Sequence, residues 1–90
     1  DIPFFNIQVI ATPGHKEDCV CYYLPEEKFL FSGDTLFQES IGRTDLPGGD
    51  MGTLIHSLNK LVVLPDDTQV YPGHGYPTTI GHEKQYNPYI

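Results

Sequence analysis

Ninety residues suffice for one small domain or for part of a larger one. Twelve acidic residues against five basic ones give a formal charge of −7. That excludes the basic footprint that nucleic acid or an anionic membrane requires, so neither is an expected partner. The sequence also has no apolar run of about 18 residues and no basic stretch leading into an apolar one, so we expect neither a transmembrane helix nor a signal peptide.

The chain opens on Asp1 and runs directly into Ile2-Pro3-Phe4-Phe5, which reads as an internal start. Residues 4–11 are β-branched and aromatic with imperfect alternation, and predict a first strand. A polar loop around Pro13-Gly14-His15 follows. Residues 19–24 read as a second strand. Cys19 and Cys21 lie two apart on it, too far apart for a relaxed disulfide. They are expected to be buried thiols in a reducing, cytoplasmic setting.

Pro25-Glu26-Glu27-Lys28 is a turn, and residues 29–31 form a third strand, giving a hairpin. Residues 32–49 contain four Gly and little periodicity, and read as one long functional loop. Asp50 is placed to cap a helix over residues 51–61. Leu54, Ile55, Leu58, Leu61 and Val62 form its apolar stripe, and Pro65 stops it. Residues 68–71 predict a fourth strand. Thr78 or Thr79 caps a second helix over residues 80–86, which ends at Asn87-Pro88. Strands and helices mixed in this way indicate an α/β sheet.

Three loops carry chemistry: Thr12-Pro13-Gly14-His15, Phe31-Ser32-Gly33-Asp34-Thr35 and Tyr71-Pro72-Gly73-His74-Gly75. Each joins a strand to a Gly turn and then to an imidazole or carboxylate. Such donors suit zinc, iron and other borderline divalent cations. A lone loop histidine is ordinary, whereas the repetition makes His15, Asp34 and His74 candidate metal ligands. No Gly-x-Ser-x-Gly or Cys–His arrangement offers a nucleophile. Gly48-Gly49 lacks the following Lys-Ser/Thr of a phosphate loop.

With Ile41-Gly42-Arg43-Thr44-Asp45-Leu46-Pro47-Gly48-Gly49-Asp50 and Thr78-Thr79-Ile80-Gly81-His82-Glu83, these segments resemble the C-terminal half of a metallo-β-lactamase-fold hydrolase of the glyoxalase II-like branch. The match runs from about residue 7 to the end. The resemblance implies half of an αβ/βα sandwich, a mostly antiparallel sheet with helices on its outer face. It implies that His15 ligates a first metal, that Asp34 bridges two metals with a catalytic role, and that His74 ligates the second. Zinc is the implied ion, two per intact site, with iron or manganese as substitutes. The intact family site holds a hydroxide between the metals, which attacks a thioester or similar acyl carbonyl.

The family's His-x-His-x-Asp-His motif does not occur in residues 1–90, which therefore read as a partial domain. Alone they are expected to bind metal weakly and to be inactive. Arg43 and Asp45, in the Gly-rich loop, form an ion pair or orient an anionic substrate, the ion pair being favoured. Thr35 is a candidate to hydrogen-bond a ligand. His82 reads as structural with a lesser claim to the substrate side, and Glu83 caps the helix or meets His82. His56 belongs to a helix surface or interface. Tyr76, Tyr86 and Tyr89 are expected to be at least half-buried.

Two rival functions are consistent with these residues. One is a mononuclear iron dioxygenase of the same fold acting on persulfides, with two His and one Asp around its metal. The other is a non-enzymatic half-domain whose bare apolar sheet face dimerises or pairs with the missing half.

Overall fold

The computed structural model describes residues 6–90. The strand expected over residues 4–11 is shorter: β1 is Gln8–Ala11, and residues 4 and 5 lie outside the described residues. β2, Val20–Leu24, and β3, Phe29–Gly33, form the predicted hairpin. The long loop of residues 32–49 is not structureless. It contains a small hairpin of β4, Leu36–Phe37, and β5, Ser40–Ile41. Leu36 and Ile41 are its cross-strand partners and bury themselves in the core, which periodicity over so few residues cannot reveal.

Helix α1, Met51–Leu61, has the predicted bounds. Asp50 caps it, accepting the Thr53 N–H at Oδ2 (2.7 Å). β6 is Gln69–Pro72, and β7, Thr78–Thr79, is a strand the sequence did not announce. Thr79 is the cap of α2, Ile80–Tyr86, accepting the His82 N–H.

The main sheet runs β1-β2-β3-β6-β7, antiparallel except between β3 and β6. Period-two alternation gives it two unlike faces. Cys21, Tyr23, Leu30 and Val70 form one core with Leu54, Leu58 and Leu61 of α1 and Ile80 of α2. Each fully buried Leu in that core stabilises the fold by about 1.5–3 kcal/mol. Both helices therefore cover the same face, as expected.

On the opposite face, the register aligns Val9, Tyr22, Phe31 and Tyr71 in one cross-strand row. Phe31 stacks on Tyr71 at 5.5 Å, and Phe29 meets Tyr71 edge-on at 5.4 Å. Among the described residues no helix lies over this row; Val9 is 62 % exposed and Phe31 42 %. Among the described residues no helix is long and apolar enough to cross a membrane.

Candidate metal centre

The loop after β1 is closed by the Thr12 N–H on the Cys19 carbonyl (2.9 Å). The first turn of α1 presses against it. Asp50 N–H donates to the Gly14 carbonyl (2.7 Å), and Ser57 Oγ donates to the Pro13 carbonyl (2.7 Å). Gly14 sits at φ +138°, and a Cβ there would collide with the Leu54 backbone. Only glycine lets the helix approach this closely, and that approach seats the loop that carries His15.

The loop after β3 turns through a Thr35 N–H bond to the Ser32 carbonyl (2.9 Å) and presents Asp34. A buried hydrogen bond between the Thr12 and Thr35 hydroxyls (3.1 Å) ties this loop to the first. Cys21 Sγ lies 3.4 Å from the same Thr12 hydroxyl. The third loop joins through the Gly73 N–H on the Gly33 carbonyl (2.8 Å), which brings His74 alongside Asp34. Gly42 is hydrogen-bonded to the Thr35 carbonyl, and any Cβ on it would strike the Asp34 carbonyl oxygen.

The three sequence-predicted donors are thus neighbours. His15 Nε2 is 3.9 Å from Asp34 Oδ2, and His74 Nε2 is 3.4 Å from Asp34 Oδ1. They stand in a row with the carboxylate in the middle, one oxygen toward each imidazole. Among the described residues no three His, Cys, Asp or Glu side chains gather around one point tightly enough to hold an ion by themselves. The His15 tautomer is set by its other nitrogen. The Arg43 carbonyl is 2.7 Å from Nδ1, so Nδ1 carries the proton and the Nε2 lone pair is free on the Asp34 side.

These donors line an open cavity of about 360 Å³ with Phe37, Gly42 and Arg43, a volume in the range of small-molecule sites. Arg43 is engaged by Asp45 in a fork, Nε to Oδ1 at 2.8 Å and Nη2 to Oδ2 at 3.0 Å. The Arg43 hydrogen bond holds the Asp45 carboxyl below its ordinary range, and Asp45 in turn raises Arg43. This is the ion-pair alternative of the two the sequence left open.

His82 and His56 lie where the sequence reading favoured, whereas Glu83 and three tyrosines do not. His82 does not line the cavity; it pairs with Glu39 at 2.9 Å and lies 4.8 Å from the Tyr86 ring. Glu83 does not meet His82. It is fully buried and accepts from the Glu39 N–H, the Thr78 hydroxyl and the Asn87 amide. The Thr35 hydroxyl bonds Thr12 of the other loop. His56 is on the exposed helix surface, as read. Tyr76, Tyr86 and Tyr89 are exposed, because the loop and helix end that carry them lie outside the core. The sequence reading missed Phe37, whose ring stacks 6.2 Å from His74. A Phe in a Gly-rich segment carries no signal of its own until β4 and β5 are seen to pair.

Residues 1–74 match the sequence profile of the metallo-beta-lactamase superfamily. Hydroxyacylglutathione hydrolase GloC of Haemophilus influenzae is 47 % identical over 87 residues, 96 % of this chain but 41 % of its own. The crystal structure of TTHA1623 in a di-iron-bound form superposes with a TM-score of 0.92 at 47 % identity, covering 99 % of this chain and 45 % of that one. That of the BLEG-1 B3 metallo-beta-lactamase gives 0.93 at 52 % identity, covering 99 % and 43 %. The chain spans less than half the length of each of these relatives. Sequence profile and fold agree: this chain belongs to the metallo-β-lactamase superfamily.

Proposed function

We propose that these residues are the C-terminal part of a metal-dependent hydrolase that cleaves a thioester or similar small acyl substrate with water. The observation that carries this reading is the division of Asp34 between two imidazoles. A carboxylate with one nitrogen donor on each side suits bridging two cations better than enclosing one. The N/O donor set fits zinc, iron or manganese. Zinc is our first assignment, and the di-iron form of one relative supports iron as the alternative. When bound, such ions polarise an acyl carbonyl and acidify water at neutral pH.

The chain's own residues would position the reactants. His15 offers Nε2 because the Arg43 carbonyl holds Nδ1–H. Asp34 keeps both oxygens available, its loop being tied through Thr35 and Gly73 backbone bonds. Phe37 supplies an apolar wall for the acyl group beside His74. Arg43, spoken for by Asp45, shapes the rim rather than reaching for substrate. None of the cavity-lining residues carries a hydroxyl or thiol, so water is the nucleophile this lining favours.

Each ion would need further protein ligands, which we assign to the remaining length of a longer chain. The same remainder is the natural cover for the Val9–Tyr22–Phe31–Tyr71 face. Residues 1–90 by themselves would then bind metal weakly and lack activity. The glyoxalase II-like name of the H. influenzae relative supports a thioester, while the B3 lactamase relative supports a cyclic amide as the competing acyl group.

The test is an assay of the intact protein, loaded with zinc or iron, against a hydroxyacyl-glutathione thioester and a β-lactam, with and without oxygen. Thioester cleavage that is unaffected by removing oxygen is the expected result. Preferential β-lactam opening would replace the substrate class. Oxygen consumption with a persulfide would replace hydrolysis with the dioxygenase reading.

A further inference from the structure

Glu83 is a fully buried carboxylate 44 residues along the chain from its partner in the β4–β5 turn, and the reactants have no use for it. Its Oε1 accepts the Glu39 N–H (2.8 Å) and the Asn87 amide (2.8 Å), and its Oε2 accepts the Thr78 hydroxyl (2.7 Å). Asn87 also donates to the Ser40 carbonyl (3.0 Å), so both turn-side residues of the hairpin are held from α2. His82 adds a contact to the Glu39 carboxylate.

The residue so gripped is strained. Glu39 has φ +56°, a left-handed conformation that is unfavourable for a non-glycine residue. Burying a carboxylate is also costly unless it is fully hydrogen-bonded, and apolar residues could have docked α2 as firmly. What a satisfied polar cluster provides, and an apolar contact does not, is one fixed geometry. The hairpin it fixes carries Phe37 to the His74 ring, 6.2 Å away and within 17° of parallel. On its other side the hairpin leads into Gly42 and the Arg43 carbonyl that orients His15.

We propose that Glu83 and Asn87 are positioning residues for the candidate metal centre. They act through the β4–β5 hairpin and Phe37 to set the plane of the His74 ring. Neither side chain touches the centre. The consequence for metal binding rests on the function proposed above; the positioning itself does not.

Two measurements on the intact protein test it. The first is the nuclear Overhauser contact between the Phe37 and His74 rings in metal-free protein with selectively labelled Phe and His. Glu83→Ala should abolish that contact while the main-sheet resonances persist. Glu83→Gln, which keeps the shape and most acceptors, should retain it. Leu61→Ala, a destabilising change at the far end of α1, should leave it intact when compared equally far below its Tm. The second is cobalt(II) titration. Glu83→Ala should weaken one of two ions about ten- to a hundredfold, the range for losing an outer support, and leave the other near wild type.

Should Glu83→Ala not fold, Asn87→Ala decides, since it frees the Ser40 carbonyl but leaves the Glu39 bond. A weakened ring contact supports the proposal, and an unchanged one overturns it. Loss of the contact in Leu61→Ala as well would reduce Glu83 to general stability and likewise overturn it. Wild-type protein with an intact ring contact but no binding of metal would instead sink the proposed function and leave the positioning role standing.

Discussion

The two imidazoles flanking Asp34 are supported very differently. The His15 side chain is 13 % exposed, and that of His74 is 81 % exposed. His15 is held by the Arg43 carbonyl, by the close seat of α1 on Gly14, and by the Thr12–Thr35 bond beneath it. His74 has the Asp34 carboxylate on one side and a stacked Phe37 on the other, with Gly75 following it in open space. One half of the centre is an extension of the hydrophobic core; the other stands on a loop beyond it. Pre-organisation is therefore inherited from packing on the His15 side and must be imposed by the hairpin on the His74 side.

Asp34→Asn is the largest way to break this comparison, because the carboxylate serves both sides. We expect metal content of the intact protein to fall at both positions, by more than about a hundredfold in affinity, above the range for losing an outer support. His15→Ala and His74→Ala should each remove one ion. Plasma mass spectrometry after gel filtration in metal-free buffer reads the stoichiometry. Equal loss of both ions in His74→Ala would mean the two sides are not separable.

Gly42→Ala should break the inner side selectively. The added methyl meets the Asp34 carbonyl oxygen and comes within 3.3 Å of the His15 Cβ. Overpacking against backbone costs about 1–3 kcal/mol, so a lower denaturation midpoint is expected, together with a weakened His15-side ion. A wild-type midpoint would show that the loop yields freely and is not core-supported.

How much of this was legible beforehand follows the same division. His15, Asp34 and His74 could be named because each follows a strand and a Gly turn, a short-range pattern. Helix α1 could be bounded because Asp50 and the Leu54–Leu58–Leu61 stripe are local signals. The sheet's two faces were implied by alternation in Cys21–Tyr22–Tyr23 and Leu30–Phe31–Ser32, although which face would be bare was not. The supports of His74 were illegible. Phe37 reaches it only because Leu36 pairs with Ile41, and Glu83 reaches Glu39 across 44 positions. Such contacts arise from chain topology, and no periodicity announces them. His82 and Glu83 are adjacent and both reach Glu39, and nothing in the local sequence tells which of the two is buried.

Thr12→Val sharpens the inner side further. It preserves shape but removes the hydroxyl shared with Thr35 and faced by Cys21 Sγ. A buried hydrogen bond of this kind contributes about 1 kcal/mol, so a modest fall in stability is expected. Chemical denaturation measures it. If the Thr12–Thr35 bond aligns the two loops, His15-side metal affinity should fall with it while His74-side affinity stays.

The smallest effect is a reactivity difference between the two thiols, and it reports directly on packing under the His15 loop. Both cysteines are free; Cys19 is half-buried at the mouth of β2, whereas Cys21 is buried against Thr12. Burial pushes the Cys21 thiol above its ordinary value, opposed by the Thr12 and Thr35 hydroxyls. Its neutral form is thus the one the fold prefers. The stability this contributes is complete below the unfolded thiol's pKa, near 9.0, and is lost as pH rises through the higher folded value. At pH 8, iodoacetamide should therefore label Cys19 readily and Cys21 only as fast as the chain opens. Thr12→Val should speed Cys21 labelling by loosening the cover, and a His74→Ala variant should not. Equal acceleration in both would show that the inner and outer sides open together, and the contrast drawn between His15 and His74 would fail.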